Sequence, residues 1–86
     1  MKDKKTANQR ELAKDLRKSR WWKELIQKPR CYYCKAQLTP LQATMDHLVP
    51  VSRGGLSNRR NIVVACKPCN TKKADMTSVE WLLSMK

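Results

Sequence analysis

The residues of this chain that could do chemistry are four cysteines, one histidine and the acid beside it. Most of them fall in one stretch, Met45 to Asn70, which reads MDHLVPVSRGGLSNRRNIVVACKPCN. It holds the only histidine, His47, directly after Asp46. It also holds the pair Gly54-Gly55, several arginines, and Cys66 and Cys69. Cys31 and Cys34 precede it, so the cysteine pattern is C-x2-C, 31 intervening residues, then C-x2-C. A C-x2-C turn places two sulfurs on one ion, and two such turns complete the tetrahedral shell that zinc prefers, at about 2.3 Å from each sulfur. A closed shell of four thiolates leaves no open coordination position, so such an ion is structural and not catalytic. Two disulfides or four free core thiols are the alternatives, and the paired motif favours zinc over both.

The bulk properties set the frame around that stretch. At 86 residues the chain reads as one domain, of a size that often needs a metal or disulfide staple. Its net charge is +12, from 19 basic and 7 acidic residues. No fold requires that excess, which points to a polyanionic partner, with nucleic acid ahead of an acidic membrane surface. No long helix pattern is strongly apolar on one face, which argues against membrane binding. The basic start, MKDKKTANQR, is followed by no apolar leader core, and the longest apolar run, Ile62 to Cys66, is far too short to span a bilayer. The expectation is a soluble chain in a reducing compartment, where cysteines signal metal more than disulfides.

The elements that must position these residues follow from periodicity and punctuation. Residues 1–5 are mostly charged and expected to fray. Thr6 to Gln9 fits a capping box, opening a helix that runs to about Gln27 with Leu12, Leu16, Trp22, Leu25 and Ile26 on one stripe. A break at Ser19 would divide it in two, and Pro29 ends it. Thr44 to Val51 reads as a first strand, bent or at an edge near Pro50, and Asn61 to Ala65 as a second. The loop between them makes the pair a hairpin. Pro68 suits the first turn of a helix carrying Asn70, Lys72 and Lys73. Thr77 to Glu80 is a second capping box, opening a terminal helix.

DHLVPVSRGG, followed by N-I-V-V-A-C-x-x-C-N-x-x-K, resembles the HNH endonuclease family over roughly residues 28–76. Order, spacing and embedded cysteines all agree. The resemblance implies a small α+β fold. A ββα-metal, zinc-finger-like core would carry a structural four-cysteine zinc site and flanking helices. With that core at 28–76, the chain reads as one domain over 1–86, with a basic helical region at 1–27 and a C-terminal helix at 77–86. The resemblance implies metal-dependent, nicking cleavage of DNA that leaves 5′-phosphate and 3′-hydroxyl ends. His47 would be the general base, and Asp46 and Asn70 the ligands of the catalytic divalent ion. Asn61 would hold the loop that positions His47. Asn70 stands where many members carry a final histidine. An all-oxygen ligand pair favours Mg2+ or Mn2+. Asp46 and His47, as neighbours on a strand, point to opposite faces, so a bend or strand end is expected there, or approach from two sides of the hairpin.

Arg53, Arg59 and Arg60 flank the glycine pair, Lys67, Lys72 and Lys73 lie around the second knuckle, and as a group they are expected to contact DNA phosphates, duplex or structured, without reading sequence. Trp21, Trp22, Tyr32, Tyr33 and Trp81 are expected to be mostly core. The resemblance also implies a bacterial or phage cytoplasmic setting and a larger nuclease complex as a partner. Two rival readings stand beside it. One is a zinc-knuckle module that binds DNA or RNA without cutting. The other is an interaction protein that docks through its Trp-bearing ends.

Overall fold

The computed structural model describes residues 4–85. Two helices, α1 (Lys4–Arg17) and α2 (Arg20–Leu25), lead into a hairpin of β1 (Ala43–His47) and β2 (Ile62–Cys66). Helix α3 (Lys67–Lys73) follows β2 without a gap, and α4 (Ser78–Ser84) closes the chain. This is the expected small α+β fold. The helical break falls at Ser19, whose hydroxyl accepts from Trp22 N at 3.2 Å and donates to Leu16 O at 2.6 Å. One serine thus caps the second helix while closing the first. The Thr77 box also forms, with Thr77 Oγ1 accepting from Glu80 N and Glu80 Oε1 accepting from Thr77 N. Thr6 reads from sequence as the cap of the first helix, but α1 already begins at Lys4, and the Gln9 amide oxygen accepts from Ser57 N. Residues 1–3, part of the start expected to fray, lie outside the described residues.

The hairpin divides two small cores. On one face Trp22 packs with Ile62 and Val64, joined by Leu16, Ile26 and Met45. On the other, Cys31, Tyr33, Ala65, Cys66 and Cys69 pack with Val63 and Trp81. Alternation along the strands produces this division. Trp22 and Tyr33 are buried, as expected for core aromatics, whereas Tyr32 is exposed.

Outward backbone carbonyls on each edge of the two-stranded sheet find partners. Met45 pairs with Val64 and His47 with Ile62, and these are the pairs whose backbone groups point outward. The outward carbonyl of Val64 accepts from Tyr32 N at 2.8 Å. Those of Met45 and His47 accept from Asn70 Nδ2 at 3.3 Å and Lys73 Nζ at 2.9 Å. Asn70 and Lys73 lie one helical turn apart, so α3 runs along the free edge of β1 and satisfies it with side chains.

Strand β1 ends at His47, sooner than Val51. Beyond it one backbone bond follows, from Leu48 N to Asn61 O at 2.8 Å, and then a side chain takes over the ladder. Asn61 Oδ1 accepts from Val49 N at 2.9 Å, and its Nδ2 donates to Val49 O at 3.0 Å and Leu56 O at 2.9 Å. Gly55 lies where a Cβ would stand 1.8 Å from Val49 O and 2.9 Å from Pro50 O, both backbone atoms. Gly55→Ala is therefore expected to lower stability by at least about 1–3 kcal/mol, the usual cost of overpacking. That is a fall of roughly 4–8 °C in melting temperature per kcal/mol, readable by thermal denaturation. An unchanged melting temperature would contradict this account of the loop.

Candidate active site and metal centre

The four cysteine sulfurs lie within 4.8 Å of one another. All four thiols are free, and Cys34 Sγ and Cys66 Sγ stand 3.9 Å apart, well beyond disulfide length. A tetrahedral zinc site at the usual bond length separates its sulfurs by about 3.8 Å, so the cluster fits one ion. Each knuckle turns an amide onto its first sulfur: Cys34 N to Cys31 Sγ at 3.5 Å, and Cys69 N to Cys66 Sγ at 3.4 Å. Burial pushes the Cys31 thiol up, but backbone hydrogen bonds from Cys34 and Cys66 outweigh it and bring it down to about 6. Burial pushes Cys66 and Cys69 up, and for Cys69 the neighbouring sulfurs add to that. Four sulfurs this close ionise together only if a cation sits among them, which is the chemistry of a metal centre.

Asp46 is 5% exposed and lies on the face of the hairpin that bears the cysteines. Its Oδ2 accepts a short hydrogen bond from the Tyr33 hydroxyl, and its Oδ1 accepts from Lys73 Nζ at 3.2 Å. The carboxylate raises the Tyr33 hydroxyl further above its usual range, after burial as the larger cause. Asn70 anchors its amide nitrogen on Thr44 Oγ1 at 2.9 Å and on Met45 O. Its Oδ1 makes no hydrogen bond to a described residue. Asn70 also lines a cleft of about 460 Å³ with Arg17, Trp22, Thr44, Lys67 and Thr71. Asp46 and His47 are not among the walls of that cleft. The seam between β1 and α3 thus brings Asp46 near Lys73 and Asn70 near Thr44. Both Asp46 oxygens already accept a hydrogen bond, from Tyr33 and Lys73, whereas Asn70 Oδ1 has no partner among the described residues; a carboxylate and an amide oxygen are donors of the kind a hard cation takes.

His47, the last residue of β1, turns to the opposite face from Asp46. Its Nε2 stands 2.9 Å from Ser57 Oγ. Burial lowers its pKa below 6.5; the positive charges of Arg17 and Lys73 push the same way, and Asp46 pulls back. The ring is therefore neutral at pH 7. Nδ1 makes no hydrogen bond to a described residue. Asn61 holds the loop that follows His47 through the three backbone contacts described above, and Asn58 caps the turn before it by accepting from Arg60 N and Asn61 N.

Of the six cations expected on DNA, Lys73 requires correction. It is 1% exposed, held by Asp46 and by His47 O, and cannot reach a phosphate. Arg59, Arg60, Lys67 and Lys72 are exposed, with the Arg59 guanidinium 5.6 Å from the Trp21 ring centre. Arg53 pairs with Glu80 and keeps about half of its side chain exposed. Three residues of the site were not singled out by sequence as polar partners: Tyr33, Ser57 and Gln9. Tyr33 sits inside the first knuckle and reads as core, Gln9 reads as part of a capping box, and Ser57 is an ordinary loop residue, so nothing in pattern or spacing joins them to the site.

No helix among the described residues is long and apolar enough to cross a membrane. The family described as HNH endonuclease matches residues 31–81. A CRISPR-associated endonuclease Cas9 of Corynebacterium diphtheriae is 31% identical over 64 residues, covering 71% of this chain and 6% of that protein. A CRISPR-associated endonuclease Cas9 of Actinomyces naeslundii is 35% identical over 52 residues, covering 59% of this chain and 5% of that protein. The chain thus spans only a small fraction of the length of these relatives. The family match takes in both cysteine pairs, the hairpin between them and the helix that seals its edge, more than half of the sequence, and on that ground the chain belongs to the HNH endonuclease family.

Proposed function

We propose that this chain is a metal-dependent endonuclease that nicks DNA with little sequence preference. The observation that carries the reading is His47: a neutral, half-buried imidazole at a strand end, with one ring nitrogen held and the other without a partner among the described residues. Such a group takes a proton from an attacking water at neutral pH. Asp46 and Asn70 would hold a divalent ion, Mg2+ or Mn2+. When bound, that ion would supply positive charge against the charge developing on the scissile phosphate. Asn61 keeps the loop after His47 in place. Cys31, Cys34, Cys66 and Cys69 would hold a structural zinc that ties the first knuckle to α3. Arg53, Arg59, Arg60, Lys67 and Lys72 would position the DNA backbone. Among the described residues no helix presents an evident set of base-reading side chains, which is why weak sequence preference is proposed.

One observation favours the non-cutting zinc-knuckle module: Asp46 is already neutralised by Lys73. Supercoiled plasmid incubated with the chain and Mg2+ or Mn2+, with and without chelator, separates the two. Open-circular product that needs the divalent ion supports the nuclease. Binding without any nicking under either ion supports the module.

The pH profile gives a further check. Cleavage needs His47 unprotonated, and its pKa lies below 6.5 because burial opposes its charge. A nearby divalent cation would push it lower still. Cleavage should therefore rise with pH through a midpoint below 6.5 and be level by about pH 7.5. A rising limb centred above pH 7 would remove His47 from the role of base.

A further inference from the structure

We propose that Gln9 and Ser57 are positioning residues for His47, so that helix α1 helps to set the ring for proton transfer although it lies outside the segment matched to the family. The inference rests on the reading of His47 as the general base. Ser57 is buried and clamped twice by one residue of α1. Its backbone N donates to Gln9 Oε1 at 2.6 Å, and its hydroxyl donates to the Gln9 carbonyl at 2.6 Å. A serine hydroxyl has one hydrogen. If that hydrogen turned toward His47, two oxygens 2.6 Å apart would face each other with lone pairs only. The hydrogen therefore goes to Gln9, and Ser57 Oγ meets His47 Nε2, 2.9 Å away, as an acceptor.

The consequence for the ring is specific. Nε2 carries the hydrogen, so the bare nitrogen of the neutral imidazole is Nδ1. In the reaction the water O–H bond breaks, the N–H bond forms at Nδ1, and the ring becomes a cation. The chain from Nε2–H to Ser57 Oγ to the Gln9 carbonyl then stabilises that cation, each bond polarising the next. The arrangement also fixes the direction in which Nδ1 faces, because the ring cannot rotate without breaking its bond to a buried hydroxyl.

The sole imidazole makes the test direct, since every histidine ring signal comes from residue 47. Long-range proton–nitrogen correlation on the full chain at pH 7.5 should show a pyrrole-type Nε2 and a pyridine-type Nδ1. Ser57→Ala should give a mixture of tautomers and a kcat for plasmid nicking lower by roughly ten- to a hundredfold, with KM little changed. Ser57→Thr, which keeps the hydroxyl, should restore both. Gln9→Ala removes the clamp on Ser57 N but keeps the main-chain carbonyl that takes the hydroxyl hydrogen, so it should move both readouts in the same direction by less than Ser57→Ala does. The proposal fails if the wild type carries its hydrogen on Nδ1. It also fails if Ser57→Ala leaves tautomer and kcat unchanged, or if it raises KM alone. If the tautomer and the Ser57→Ala signature appear as stated but His47→Ala still cuts, the fault lies in the reading of His47 as base and not in the contact.

Discussion

His47→Ala should abolish cleavage, by a factor of about 10² to 10⁴, while zinc content and DNA affinity stay at wild-type levels. The chain offers no second imidazole to take over. The two charged side chains nearest in role, Asp46 and Lys73, are buried and committed to each other, so neither is free to accept a proton from water. The excision is also mild for the fold. The ring is only half-buried, and its described side-chain hydrogen bond is the one to Ser57. The cysteine cluster and the exposed arginines and lysines are untouched by it. Plasmid nicking, zinc content and gel-shift affinity measured on the same preparation decide the matter. Residual nicking within tenfold of wild type would show that His47 is not the base.

Removing zinc should unfold the core of the chain. Structural zinc contributes on the order of 10–16 kcal/mol of apparent binding free energy near neutral pH, against about 5–15 kcal/mol for the whole stability of a typical domain. One of the two cores here is built largely from the ligands themselves, since Cys31, Cys66 and Cys69 pack directly with Tyr33 and Ala65. Without an ion, that core holds four thiols within 4.8 Å of one another and nothing to offset their ionisation. Cys34 is the exposed member, which gives a chelator a route to the ion. Adding chelator should therefore collapse the circular dichroism and shift tryptophan emission toward that of solvated indole, with recovery on adding zinc. A chain that keeps its melting temperature after the metal is stripped would show the cluster to be thiols packed as ordinary core.

Much of this was legible in the sequence, and the reason is that it was written locally. The knuckles are four-residue patterns, the break at Ser19 is a capping residue inside one apolar stripe, and the box at Thr77 is a three-residue spacing. Each is a contact between neighbours in the chain. The end of β1 was less legible, because Asn61, from beyond the loop, replaces the ladder at Val49. Lys73 was misread for a related cause. A lysine on a short polar helix is normally solvated, and only the carboxylate of Asp46 and the edge carbonyl of His47 make its burial tolerable. The Gln9–Ser57 contact joins residues 48 positions apart through side chains of common type, which no periodicity announces.

The way α3 lies along β1, with Tyr32 on the far side at β2, has a bearing on how copies of this chain behave at high concentration. A two-stranded ribbon ordinarily presents vacant flanks on which a neighbouring polypeptide can nucleate, the first step toward exchanged dimers or fibrils. Here Asn70 and Lys73 stand in for a third strand on one flank, and Tyr32 caps an outward carbonyl on the other. Copies crowded together therefore find fewer vacant carbonyls for cross-chain pairing along this hairpin than a bare ribbon would offer.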